Sequence, residues 1–183
     1  LAWLVAGEVR LLSRNRIHQE DVYPEVVDGL RDTVPVDAVL DGEVVAYDDD
    51  GVPRFTRLQQ RMHVHSEVAS RRNPVRVTYV VFDVLWAAGR DVRDLPLDDR
   101  RSLVGRLVEP GPAIEVVTPL VGPLDDLLAR ARDEGWEGLI AKRRGSRYQG
   151  RRSPDWLKLK VVRQQEMVVV GFTEPRGGRA GLG

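Results

Sequence analysis

Trp156-Leu157-Lys158-Leu159-Lys160-Val161-Val162 alternates with period two, the pattern of a strand whose two faces differ. Leu157, Leu159 and Val161 form an apolar face, expected to pack on a core. Trp156, Lys158, Lys160 and Val162 form the other, with two like charges two residues apart beside an indole. Adjacent ammonium groups repel and are costly to desolvate unless an anion neutralises them, and a phosphate is the natural anion. Taken alone, the segment reads equally well as a half-exposed strand whose lysines point into water.

Upstream, four further stretches have strand character: Trp136 to Arg143, Ala113 to Val117, Val75 to Trp86 and Val36 to Tyr47. Met167 to Phe172 adds one downstream. Leu1 to Val5 and Val9 to Leu12 predict a hairpin about Ala6-Gly7-Glu8. Asp48-Asp49-Asp50-Gly51 and Ala87-Ala88-Gly89-Arg90 are turn signals that end strands. Helices are expected over Tyr23 to Leu30, where Pro24 suits a helix start, and over Asp98 to Leu107, whose acidic start favours a helix N-terminus. A third follows from the spacing of Leu124, Leu127, Leu128 and Ala131, stopped by Gly135. Strands dominate and helices are interspersed irregularly, so the expected class is α+β with antiparallel sheets flanked by helices.

The 183 residues suffice for one good-sized domain and part of a second. Lys+Arg and Asp+Glu are both 28, which excludes a polybasic protein binding by bulk charge but leaves room for a one-sided basic face. Without cysteine there is no disulfide, thiolate metal site or cysteine nucleophile. No apolar run reaches the ~20 residues that cross a bilayer, and no signal-peptide pattern opens the chain, so a cytoplasmic protein without membrane contact is expected. Lys142, Lys158 and Lys160 are the only lysines, every other basic residue being arginine.

Carboxylates stand beside glycines in two segments, Asp41-Gly42-Glu43 and Glu137-Gly138, where a ligand could approach the backbone closely. Such acids could hold a ribose hydroxyl or a Mg²⁺ ion; singly, each reads as a solvent-exposed strand end. Phe82, within Val80-Val81-Phe82-Asp83-Val84-Leu85, reads by itself as a core aromatic. His63-Val64-His65 lacks the companions of a metal site and reads as a basic loop with Arg61, Arg71 and Arg72. Arg176-Gly177-Gly178-Arg179 lacks the lysine and helix of a phosphate loop and reads as a flexible turn.

The ordered set is more telling than any member. Ser13-Arg14-Asn15, Asp41-Gly42-Glu43, Tyr79-Val80-Val81-Phe82-Asp83, Glu137-Gly138-Leu139-Ile140-Ala141-Lys142 and Trp156-Leu157-Lys158-Leu159-Lys160 follow one another along nearly the whole chain. This order closely resembles the adenylation domain of ATP-dependent DNA ligases, of the bacterial repair or end-joining type, within the covalent nucleotidyltransferases. The resemblance implies the DNA ligase/mRNA-capping nucleotidyltransferase fold, ATP-grasp-like, over residues 1–162, and the start of an OB-fold domain over 163–183.

By that resemblance Arg14 contacts a DNA 5′-phosphate or the nucleotide, Glu43 binds the ribose of ATP, and Phe82 stacks on adenine. Glu137, with Glu43, lies near the Mg²⁺, and Arg152, Lys158 and Lys160 bind phosphate. The family's first motif, Lys-x-Asp-Gly-x-Arg, supplies the lysine that attacks the α-phosphate of ATP. It is expected upstream of Leu1, so the chain reads as an internal portion of a ligase, and this stretch alone is expected not to seal a nick. Implied partners are nicked or broken double-stranded DNA and fused or associated repair domains, with a monomer as the working form near the nucleoid. An RNA ligase or mRNA-capping guanylyltransferase is the alternative within the superfamily. A non-catalytic module holding nucleotide or DNA ends is the alternative outside it.

Overall fold

The structure is a computed structural model and describes residues 1–161. Its main sheet has the order β2-β1-β3-β4-β5, with β6 added beside β4. The strands are β1 (Ala2–Val5), β2 (Glu8–Leu11), β3 (Ala38–Val45), β4 (Thr78–Ala87), β5 (Arg90–Asp91) and β6 (Ile114–Val116). Pairing is antiparallel except between β4 and β6, which run parallel. The expectation of antiparallel sheets therefore fails at that pair, because the chain reaches β6 through an intervening helix rather than a hairpin. β7 (Gly138–Lys142) and β8 (Trp156–Lys160) form a separate antiparallel pair.

One face of the main sheet is covered by α1 (Pro24–Thr33) and α4 (Leu97–Leu107). Val26 and Leu30 of α1 and Val104 of α4 meet Ala2, Leu4, Leu40, Val81 and Val84 in the core. Alternation makes this possible: in β1, Ala2 and Leu4 turn inward while Trp3 and Val5 lie 43% and 45% exposed on the other face. α5 (Leu124–Asp133) packs against β7 and ends at Glu134, followed by Gly135 at φ +74°.

α2 (Phe55–Met62) and α3 (Glu67–Arg72) were not expected from the sequence. Arg61, read there as part of a basic surface loop, is instead 1% exposed. Its guanidinium donates to the carbonyls of Ser70 and Val22 at 2.8 and 2.6 Å and pairs with Glu25 at 3.0 Å, tying both helices to α1. The two histidines of the same stretch are exposed.

The face of β8 expected to enter a core does not do so among the described residues: Leu157 is 53% exposed. The hairpin has only two strands; α5 packs against β7, and the loop joining β7 and β8 bonds to α4 and to the segment before it. The boundary at residue 162, the Met167 to Phe172 strand, the Gly-rich turn and the OB-fold start lie outside the described residues.

Candidate functional site

A cleft of about 580 Å³ opens between the uncovered face of the main sheet and the β7–β8 hairpin. Glu43 reaches it from β3, Glu137 from the residue before β7, and Lys158 from β8. Val45, Ala46, Leu58, Phe55, Trp136 and Ile140 supply its apolar walls. Three segments with chemical side chains, far apart in sequence, thus converge on one concave, mostly apolar space.

The convergence follows from register. In the hairpin Ile140 lies opposite Lys158, and Lys142 opposite Trp156, so all four share the face turned to the main sheet. Across from them β4 carries a bulge. β3 advances one residue from Asp41 to Gly42 while β4 advances two from Asp83 to Val81, leaving Phe82 with no partner in register. Phe82 meets Trp156 edge-on at 6.1 Å between ring centroids.

The Lys142 ammonium fills the space between those rings, 4.0 Å from the Phe82 centroid and 3.7 Å from that of Trp156. Burial pushes its pKa down to about 8, opposed by Asp83 and Asp41 and reinforced by Arg101 and Arg100. Asp41 is half-buried and accepts the Tyr148 hydroxyl at 2.8 Å; burial raises its pKa. Tyr148 in turn packs edge-on against Trp156 at 5.9 Å.

The residues singled out from the sequence divide accordingly. Glu43, Glu137 and Lys158 are together in the cleft. Phe82 is not among the residues lining it and lies where the two sheets meet. Arg14 is exposed in the loop after β2, Arg152 is exposed in the loop before β8, and Lys160 is exposed opposite Gly138 at the hairpin's end; none lines the cleft. Lys142, Tyr148, Phe55 and Trp136 belong to the site or its walls without having been singled out, whereas Asp41, noted beside Gly42 as an acid that could hold a ribose hydroxyl or Mg²⁺, is bonded to Tyr148 instead. For Lys142 the signal was available, since it is one of three lysines and ends the Glu137-Gly138 segment. For Tyr148, in a loop and bonded to a residue 107 positions away, there was none.

No group of three or more His, Asp or Glu side chains able to hold a metal ion occurs among the described residues. Glu43 and Glu137 nevertheless suit Mg²⁺, which keeps several waters and takes one or two carboxylates together with substrate phosphates.

The cleft between main sheet and hairpin thus joins apolar walls with Glu43, Glu137 and Lys158 on one lining. Residues 4–160 match the family described as "ATP dependent DNA ligase domain", and the chain belongs to that family. It is 38% identical over 179 residues to the multifunctional non-homologous end joining protein LigD of Pseudomonas aeruginosa, covering 97% of this chain and 20% of that protein. It is 38% identical over 181 residues to a DNA ligase of Natronomonas pharaonis, covering 94% of this chain and 32% of that one.

Among solved structures, the ligase domain of LigD from M. tuberculosis superposes with a TM-score of 0.70 at 36% identity, covering 87% of this chain and 50% of that chain. A mycobacterial DNA ligase D complexed with ATP and MES gives a TM-score of 0.69 at 35% identity, covering 87% and 50%. The fold is therefore the nucleotidyltransferase fold of these ligase domains. The chain spans between a fifth and a third of the length of these two curated relatives.

Proposed function

We propose that this chain is the nucleotide-binding core of an ATP-dependent DNA ligase of the end-joining type, part of a protein that joins nicked or broken double-stranded DNA. The carrying observation is the convergence of Glu43, Glu137 and Lys158 in one cleft between the sheets. The structural relative in complex with ATP supports ATP as the ligand. The relatives named DNA ligase favour DNA over RNA as the polynucleotide.

Lys158 supplies positive charge where the phosphates lie, and Glu43 holds the ribose. Phe82 is the ring assigned to adenine stacking, which requires the Lys142 ammonium, 4.0 Å from its centroid, to give way to the base. Arg14, Arg152 and Lys160, exposed and outside the cleft lining, meet phosphates of nucleotide or DNA. Glu43 and Glu137 would hold Mg²⁺, which would supply charge neutralisation for the phosphates. Such transfer depends on positioning and charge more than on covalent chemistry by many groups. The attacking lysine of the family motif is none of the three in this sequence, and the working unit is a monomer on DNA in the bacterial cytoplasm.

The test is calorimetric titration of the chain with ATP and Mg²⁺, together with mass measurement of a longer protein carrying the upstream lysine motif. Expected are saturable ATP binding by the chain and gain of one AMP by the longer protein. Lys158→Ala should weaken binding about tenfold or more, the range for losing a charge-assisted contact. No ATP binding by either protein overturns the reading.

A further inference from the structure

We infer that Tyr148 is a positioning residue of this cleft, setting the spacing between acid-bearing β3 and lysine-bearing β8; the inference rests on the nucleotide reading above. β7 and β8 form their own sheet and share no strand pairing with the main one among the described residues. Their position over the cleft is therefore set by side chains and by the loop that joins them.

Tyr148 sits in that loop and makes four kinds of contact at once. Its N–H donates to the Arg93 carbonyl at 2.8 Å, holding the loop to the segment before α4. Its hydroxyl donates to Asp41 of β3 at 2.8 Å. Its ring meets Trp156 of β8 edge-on at 5.9 Å, and the Arg100 guanidinium lies 5.8 Å from its centroid. One side chain thus touches both strands whose separation defines the cleft.

Arg100 makes this arrangement rigid. It is wholly buried on α4, pairs with Asp83 of β4 at 2.7 and 2.9 Å, and donates to the Ser146 carbonyl at 3.0 Å, two residues from Tyr148. The loop's other links to this region are a backbone bond from the Asp98 N–H to the Arg144 carbonyl at 3.2 Å and the ion pairs Arg144–Asp98 and Arg147–Asp94, whose arginines are 84% and 72% exposed. Exposed pairs contribute little, so beside the two backbone bonds the buried Arg100 and the Tyr148 hydroxyl are the side-chain groups that carry the docking of the loop. A shift of the hairpin by an ångström would move Lys158 and Glu137 relative to Glu43, which matters in a site that works by placing charge.

The chain has no cysteine, so cysteines introduced at Arg10 on β2 and Leu157 on β8, both exposed, can be spin-labelled specifically. Distance distributions are measured by pulsed dipolar spectroscopy for the labelled parent and for Tyr148→Phe, with ATP affinity and thermal midpoint measured alongside. Tyr148→Phe keeps the ring and loses only the hydroxyl, so it tests the idea even where Tyr148→Ala fails to fold.

Expected are a broadened or displaced distribution, ATP affinity weakened about tenfold, and a thermal midpoint close to that of the parent. An unchanged distribution overturns the inference, as does a changed distribution with unaltered affinity. A residue that only stabilised the fold would lower the midpoint and leave the distances and affinity of the folded fraction intact. A parent chain that binds no ATP overturns the nucleotide reading, and the role in the cleft falls with it. The two failures are told apart because the distances are read without nucleotide.

Discussion

Gly42 and Gly138 each adjoin an acid of the cleft, and the sequence suggests that a glycine there makes room for a ligand. The structure gives a different reason. A Cβ on Gly42 would stand 2.6 Å from the Tyr79 ring and 2.7 Å from the Val80 carbonyl oxygen. On Gly138, at φ +153°, it would stand 2.2 Å from the Leu159 carbonyl oxygen. Both glycines let strands approach, and the acids are placed as a consequence. Gly138→Ala should part β7 from β8 and cost about 1–3 kcal/mol, as overpacking does, read as a lowered midpoint in chemical denaturation. Gly42→Ala meets a ring and a carbonyl of the adjacent strand and should cost a similar amount. A variant of either kind with parental stability would show that the strands can yield.

At the scale of elements, the strand Thr78–Ala87 was legible from its apolar, β-branched run, but not the role of the one charge inside it. Asp83 is 0% exposed and bonded to Arg100, also 0% exposed. Removing one partner of a buried pair leaves the other charge uncompensated. Asp83→Asn should therefore destabilise the chain by about 3–5 kcal/mol in urea unfolding, and a loss under ~1 kcal/mol, the level of an exposed pair, would contradict the buried pairing. The missed helices α2 and α3 have a related cause. Phe55–Met62 reads Phe-Thr-Arg-Leu-Gln-Gln-Arg-Met: Phe55, Leu58 and Met62 recur at helical spacing, yet Phe55 and Met62 stay exposed and the residue the helix buries fully is Arg61. The helical spacing was there to read, but these helices are only eight and six residues long, and what they bury fully is a guanidinium and a hydroxyl rather than a set of apolar side chains.

Across the whole molecule the two sheets differ in how they are held. β3 and β4 lie inside a six-stranded sheet with a covered face, whereas both strands of the β7–β8 pair have residues exposed on either face. Local opening should therefore cost less in the hairpin than in the main sheet. Hydrogen exchange followed by mass spectrometry should show the amides of β7 and β8 exchanging before those of β3 and β4 and, on the proposed nucleotide reading, slowing when ATP and Mg²⁺ are added. Equal protection of both sheets would argue for a single cooperative unit.

The sequence by itself determined the α+β class, most strand positions, two of the three expected helices nearly to the residue, and the family, through the order of its short motifs. These are local properties: period-two alternation, turn residues and a linear series of segments survive in one dimension. Tertiary structure alone decided that Glu43, Glu137 and Lys158 meet in one cleft, that Phe82 sits at a bulge against Trp156, and that Leu157 stays exposed. It also placed Tyr148 and Arg100 between the sheets. Those facts depend on the register between strands distant in the chain and on side chains filling the space between two sheets. Neither leaves a periodic trace in the residues that make them.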